Sequence, residues 1–338
     1  MKKVSILGIG VATLDIYVNQ GRMYPGGNEY NVACNAASLG AEAGFLGVFA
    51  KNPAGELLEQ TLKERNICLT MCRHEEGSSG YSLVELKEDG DRVFLDWNQD
   101  GVTERYPIEF TKEELDYIQS YQAVSVGRCA SVAVEKIRKM KEHGINVCYD
   151  FHEIYTEEDI REIAPLLRYA FFSCSHLTEE EIRHNLKVAV EQGAGIAIGT
   201  RGPLSVFAYD GKRYYEQEAC KVEEVKDALG AGDSFIGAFL VNYLQYDEWT
   251  EEERISYALK QAVEHAASVI QVEGSIGVGY DVEADQVKEM VGIQNEKKRS
   301  DVTIQNQLSR EAFWHENAKI PRQARQNPIA VGDFQWML

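Results

Sequence analysis

No stretch of this sequence runs for about 18 apolar residues, so nothing in it reads as a membrane span. The first apolar run, residues 4–11, is too short for a signal peptide core with its cleavage site and reads as a buried strand. The expected location is therefore the cytoplasm, with no membrane partner. Positive charge is also in short supply: 35 Lys and Arg stand against 54 Asp and Glu, for a formal charge of −19. A nucleic-acid partner needs clustered cations to meet phosphates, and this balance argues against one. The seven Cys, at 34, 68, 72, 129, 148, 174 and 220, are odd in number, and several lie inside apolar runs. They read as buried free thiols of a reducing compartment. Cys68 and Cys72 are four apart without a second Cys or His pair at zinc spacing, and no His-x-x-x-His occurs, so no metal site is identified. Gly-x-x-x-x-Gly-Lys-Ser/Thr and Gly-x-Ser-x-Gly are both absent, which argues against P-loop enzymes and serine hydrolases.

What is present is alternation. Residues 4–9 read as a strand, 28–39 as a helix and 43–49 as a strand, and Pro53 stands where a helix can begin. Residues 81–86 and 92–95 flank Asp89-Gly90, and 205–209 and 212–216 flank Asp210-Gly211, two hairpin signals. Further strand patterns at 123–126, 147–151, 170–174 and 195–199 are interleaved with helical ones, and long helices are expected at 231–246 and 251–272. Strands alternating with helices predict an α/β fold with a mainly parallel, doubly covered sheet. Thr111…Glu114, Thr156…Asp159, Thr178…Glu181 and Thr250…Glu253 predict capping boxes, which account for acidic runs such as 179–181 without invoking a metal. After about residue 294 the periodicity fades and Gln and Asn become frequent. The expected division is a domain over 1–293 and a polar tail over 294–338, partly disordered or docked through Phe313, Trp314 and Trp336.

Two segments carry chemistry. In Asp227-Ala-Leu-Gly-Ala-Gly-Asp233, small residues open an apolar helix. The amides of Gly230, Ala231 and Gly232 form an anion site that large side chains do not block. Asp233 then sits in the first turn, either as a base for a hydroxyl attacking phosphorus or as a cap in a tight packing motif. The helix dipole is expected to keep its pKa low. In Pro25-Gly26-Gly27-Asn28-Glu29-Tyr30-Asn31, a Gly turn leaves backbone free to meet a ligand, and two amides three apart share one side of a helix. Asn28 is a sugar-facing amide or a plain N-cap.

Gly8-Ile-Gly10 lacks the third Gly of a dinucleotide fingerprint, and Asp15 follows too early to be its ribose acid. Asp15 reads instead as a polar group at the C-terminal end of a central strand, where α/β sheets hold ligands. Thr200-Arg201-Gly202, in the turn after a buried strand, offers a hydroxyl, a guanidinium and open backbone to nucleotide phosphates.

With these motifs in this order, residues 1–285 resemble the PfkB (ribokinase-like) carbohydrate kinases. Within that family the chain looks most like the fructoselysine 6-kinase branch, on the brief segment from Asp15-Ile-Tyr17 to Gly26, the Asp91-Arg92-Val93-Phe94 hairpin arm and the strand at 147–150. The resemblance implies a central sheet flanked by helices with a small β lid over the sugar, here reduced and built mostly from 80–96. It implies Asp233 as catalytic base, with the 230–233 amides on the transferring group. Asp15, Gly26, Gly27, Asn28, Asn31 and Arg92 are then placed on the sugar, and Thr200, Arg201, Gly202, Ala262 and Ala266 on ATP. Mg²⁺ is implied with the nucleotide. Three positions depart from the family pattern: Ala228, Ser205, and Ser175…Glu179 where Asn-x-x-Glu is usual, which leaves Glu179 as a weak metal candidate.

The expected reaction is ATP-dependent phosphorylation of a primary hydroxyl, with fructoselysine as the first acceptor. Fructose, 2-keto-3-deoxygluconate and a nucleoside are the alternatives within the family, and a non-catalytic sugar- or nucleotide-binding protein is the alternative outside it. An acidic pocket favours an amine-bearing acceptor and a clustered Arg pair a sugar acid. A homodimer through the lid is compatible with the family, although 87–92 is polar enough to stand in water.

Overall fold

The structure, a computed structural model, describes residues 3–98 and 100–292. The expected tail over 294–338, with Phe313, Trp314 and Trp336, lies outside the described residues. From the N-terminus come β1 (Ser5–Ile9), β2 (Thr13–Tyr17), β3 (Arg22–Gly26), α1 (Asn28–Ser38), β4 (Glu42–Leu46), β5 (Val48–Ala50), α2 (Pro53–Glu64), β6 (Arg73–Glu75), β7 (Gly80–Leu86) and β8 (Arg92–Trp97). Then follow α3 (Val102–Arg105), α4 (Lys112–Gln119), β9 (Ala123–Gly127), α5 (Val134–Glu142), β10 (Val147–Asp150), α6 (Glu157–Ile163), β11 (Tyr169–Ser173), α7 (Glu179–Gln192) and β12 (Ile196–Thr200). The last are β13 (Val206–Tyr209), β14 (Tyr214–Gln217), α8 (Ala231–Gln245), α9 (Glu251–Val269), β15 (Tyr280–Asp281) and α10 (Ala284–Val291).

The main sheet has eight strands in the order β14-β13-β12-β11-β10-β9-β1-β4. From β4 to β12 they pair in parallel, and β13 and β14 close one edge antiparallel. Successive side chains of a strand point to opposite faces, and both faces here are apolar. Ile6, Tyr169 and Phe171 join one core with Phe235, Phe239, Leu259 and other residues of α1, α8 and α9. Leu7, Ala170 and Phe172 join a second core with residues of α4 to α7. The α/β fold with a mainly parallel, helix-flanked sheet is the one the alternation predicts. All four expected capping boxes form, at α4, α6, α7 and α9. Among the described residues no helix is long and apolar enough to cross a membrane.

Three expectations need correction. The run 43–49 divides at Gly47 into two strands of different sheets, β4 in the main sheet and β5 paired with β6. The lid is not reduced to the 80–96 hairpin: it is a five-stranded sheet, β15-β3-β2-β7-β8, in which that hairpin supplies only β7 and β8. The brief 13–26 segment is short because it is itself a tight hairpin, β2 with β3. Asp15 consequently stands on a lid strand, opposite Ser82 of β7, and not at the end of a central strand.

The lid rests on the segment that precedes α8. The turn between β7 and β8 places Gly90 at φ +80, where the Ala228 amide donates to its carbonyl at 3.0 Å. Tyr17 at the end of β2 donates from its hydroxyl to Asp227 Oδ2 at 2.7 Å.

Candidate active site

The site forms where the lid, the first turn of α1 and the first turn of α8 meet. Asp227 is wholly buried and accepts three hydrogen bonds: from Tyr17, from the Leu229 amide at 2.9 Å and from the Gly274 amide at 2.8 Å. It fixes the loop that leads into α8. That helix starts on Gly230, which has a left-handed φ of +75 and provides no side-chain cap. A Cβ at Gly230 would lie 2.5 Å from Ser275 Cβ, whereas one at Gly232 meets nothing within 4 Å. Gly232 thus leaves room beside the first turn of α8, where an anion can approach the backbone. The Ala231 amide makes only a long bond, 3.4 Å, to the Ala228 carbonyl.

Asp233, one turn in, is buried and held by two amides. Asn28 Nδ2 donates to its Oδ1 at 3.2 Å, and Asn31 Nδ2 to its Oδ2 at 2.8 Å. Asn31 Oδ1 in turn accepts from Ser275 Oγ at 2.8 Å. Asn28 is not the N-cap of α1, since Gly27 holds that position at φ +115. The expectation of a low pKa for Asp233 is overturned. Burial, the largest influence, raises it to about 6, with the Asp150 charge adding to the rise, while the Asn31 and Asn28 bonds and His152 pull against it. Loss of water outweighs the helix dipole here because the carboxyl is enclosed on all sides.

Asp15 is enclosed as well. Burial lifts its pKa to about 7, Arg92 acts in the opposite direction, and Asp227 and Asp233 raise it further. Gly26 is a space requirement for this carboxyl, because a Cβ there would sit 2.4 Å from Asp15 Oδ2. Gly27 makes room for the Val11 carbonyl, 2.3 Å from a Cβ at that position.

The residue that the sequence reading missed is Glu29. It is 1% exposed, and its Oε2 is buried without a partner. It lies in a slot made by glycines at the ends of β1 and β9. A Cβ on Gly10 would meet its Oε2 at 2.0 Å, one on Gly8 its carbonyl oxygen at 2.2 Å, and one on Gly127 its Oε1 at 2.9 Å. This accounts for Gly8-Ile-Gly10, which belongs to no dinucleotide site. Burial raises the Glu29 pKa to about 8, with Asp233 and Asp150 contributing and His152 opposing. His152, at a left-handed φ of +57, lies 3.5 Å from Asp150 Oδ2. Burial disfavours its charge, but Asp150, Cys129 and Asp233 prevail and raise its pKa well above the ordinary value. An acidic residue in a stretch otherwise read for its Gly and Asn gave no signal; only the glycines that surround it in space reveal the slot.

The nucleotide-side expectations fare unevenly. Thr200, at the end of β12, donates to the Phe172 carbonyl at 3.4 Å, and Gly202 follows at φ +58. Arg201 is committed to Glu179, Nη1 to Oε1 at 3.3 Å, and lies over Phe207. Glu179 therefore neither caps α7, where Glu181 does so, nor stands free for a metal. Ala262 is wholly buried in the core beneath α9, so it has no surface for adenine, while Ala266 is only partly buried. Among the described residues no cluster of three or more His, Cys, Asp or Glu is placed to hold a metal.

Residues 6–280 match the pfkB family carbohydrate kinase model. The chain is 31% identical over 277 residues to the fructosamine kinase FrlD of Bacillus subtilis (strain 168), covering 82% of this chain and 94% of that one. It is 29% identical over 269 residues to the fructoselysine 6-kinase of Escherichia coli (strain K12), covering 79% and 97%. In fold it is similar to Arabidopsis thaliana ribokinase complexed with ribose and ATP, with a TM-score of 0.68 at 20% identity over 82% of this chain and 95% of that one. A base-ready carboxyl at an uncapped helix start, beneath a β lid, is the arrangement a phosphoryl-transfer enzyme needs. Together with the family match over residues 6–280, it makes this chain a member of the pfkB family of carbohydrate kinases, an ATP-dependent sugar kinase.

Proposed function

We propose that this kinase phosphorylates the primary hydroxyl of a sugar joined to an amine, of the fructosamine or fructoselysine kind. The observation that carries the mechanism is the grip of Asn28 and Asn31 on Asp233 at the open start of α8. The acceptor hydroxyl oxygen forms a bond to the γ-phosphorus while the bond from that phosphorus to the β,γ-bridging oxygen breaks and ADP departs. The hydroxyl proton passes to Asp233. A carboxyl with a pKa of about 6 is ionised at neutral pH and more basic than an ordinary Asp, which suits it to that proton. The amides from Gly230 to Asp233 stabilise the transferring group. Mg²⁺ travels with the nucleotide phosphates, as is usual for an ion that keeps few protein ligands, and no step here depends on protein ligation of it.

The amine-bearing acceptor is supported by the character of the site. Asp233 raises the pKa of both Asp15 and Glu29, and Asp150 that of Glu29 and Asp233, with Arg92 opposing at Asp15 and His152 at Glu29 and Asp233. Among the described residues Arg92 is the one Arg whose charge acts on Asp15, so no Arg pair there favours a sugar acid. The names of the relatives that are 31% and 29% identical agree with this reading. Fructose is the second reading, favoured by 26% identity over 270 residues to fructokinase-2 of Zea mays. ADP release measured over fructoselysine, fructose, 2-keto-3-deoxygluconate and a nucleoside decides between them. The sugar–amine adduct is expected to have the highest kcat/KM; a higher value for free fructose would replace the first reading with the second.

A further inference from the structure

Among the described residues, Arg92 on the lid carries a guanidinium without a hydrogen-bond or ion-pair partner. Arg92 opens β8, the edge strand of the lid, and is half-buried. It follows the β7–β8 turn, whose Gly90 carbonyl accepts from the Ala228 amide at 3.0 Å just before α8, and its charge is the one that most opposes the upward shift of Asp15. Yet among the described residues its guanidinium makes no ion pair or hydrogen bond, and its Nε is buried with no partner. The neighbouring carboxylates are engaged elsewhere: Asp91 accepts from Lys87 Nζ at 3.3 Å, and Asp15 accepts from Ser82. Phe94 lies beneath the guanidinium, with its ring centroid 5.8 Å from Cζ, and is itself 46% exposed.

A guanidinium offers five donors in a planar fork, and leaving its buried Nε–H without an acceptor is unfavourable. Neutral sugar hydroxyls offer a half-buried guanidinium single acceptors and no opposite charge. A carboxylate does, through two parallel charge-assisted bonds. We propose that Arg92 binds a carboxylate carried by the acceptor, so that the amine of the acceptor belongs to an amino acid. The sugar is then held on the Asp15 and Asn31 side, and the amino-acid portion extends along the lid over Phe94 toward Arg92. This assignment rests on the sugar–amine reading above and specifies the chemistry of its non-sugar half.

The test uses pairs of acceptors that differ only in this charge: fructosyl adducts of glycine and glycinamide, and of the lysine side-chain amine and that of lysine amide. The wild-type enzyme is expected to prefer the acid over its amide by about tenfold or more in kcat/KM, the scale of one charge-assisted pair. In Arg92→Met that ratio is expected to fall to about one, and Arg92→Lys is expected to keep part of it. Because the ratio is internal, a general loss of activity or of folded protein does not move it. Equal kcat/KM for acid and amide in the wild type, or an unchanged ratio in Arg92→Met, overturns the Arg92 assignment and leaves the sugar–amine reading intact. Turnover of free fructose with none of any adduct overturns both.

Discussion

Asn31 donates to Asp233 Oδ2 at 2.8 Å and at the same time accepts from Ser275 Oγ, so one amide ties the proposed base to the 272–279 loop. Removing it strips Asp233 Oδ2 of its amide donor, at roughly 1–3 kcal/mol, and leaves Ser275 Oγ only its long bond to the Pro25 carbonyl, 3.5 Å. Asn31→Ala is expected to lower kcat by about 10–100-fold and to destabilise the fold. Adding Ser275→Ala is expected to recover part of the stability, since it removes a hydroxyl left with only that long bond, but none of the turnover. Denaturant melts and steady-state kinetics of the three variants check both parts.

The pH profile follows from the direction of the Asp233 shift. The base works only when ionised, and its pKa is raised to about 6, so kcat/KM is expected to fall as pH drops through about 6. An ordinary Asp would keep the rate flat to about pH 4. Asn31→Ala removes a bond that favours the charged form, which moves the acid limb upward. Rates measured from pH 5 to 9 at subsaturating acceptor give the limb directly.

Glu29 couples stability to pH. Its folded pKa lies at about 8 against an ordinary value of 4.5, so between these two the folded chain binds more protons than the unfolded chain. Stability from this group is therefore lost as pH rises across that window, and is fully retained below it. Glu29→Gln removes the titration. Its stability relative to wild type is expected to improve steadily from about pH 5 to about pH 8 and then level off, as a pH series of urea midpoints would show. A constant difference across the series would mean that Glu29 is charged throughout.

The glycine slot gives a coupled prediction. A methyl at Gly10 would collide with the Glu29 side chain, whose carboxyl is already hemmed in beside Gly127 and whose backbone belongs to the first turn of α1, where Asn28 and Asn31 hold Asp233. Gly10→Ala is expected to lower both stability and kcat. In the Glu29→Ala background the same change is expected to cost much less, giving a coupling of about 1–3 kcal/mol in a double-mutant cycle. Additive effects would mean that Gly10 is needed for some other reason.

The fold was legible in large part because its signals are local. The capping boxes at Thr111, Thr156, Thr178 and Thr250, the turn at Asp89-Gly90 and the strand–helix alternation each act within a few residues. The lid was misjudged because β2, β3 and β15 are each five residues or fewer and find their partners across more than 50 positions in β7 and more than 250 in β15. In the site, the proximity of the Asn28–Asn31 turn to Asp233 followed from the paired motifs, but its form did not. The two amides bond the base itself, a contact across more than 200 residues. Burial is likewise a property of the assembled fold, so the raised pKa of Asp233 and the slot of Glu29 had no counterpart in the sequence pattern. The same limit explains Arg201 and Ala262, whose commitments to Glu179 and to the core arise only on folding.

The central claim is that Asp233 takes the proton of the acceptor hydroxyl. Asp233→Asn keeps the shape and the size of the side chain and removes the base. The direct measurement is single-turnover phosphorylation of a sugar–amine adduct by this variant, alongside its acceptor affinity from calorimetry. The account predicts a fall in the rate of about 10²–10⁴-fold with acceptor binding retained within a few-fold. A phosphorylation rate within about threefold of wild type, with the acceptor bound, would contradict it.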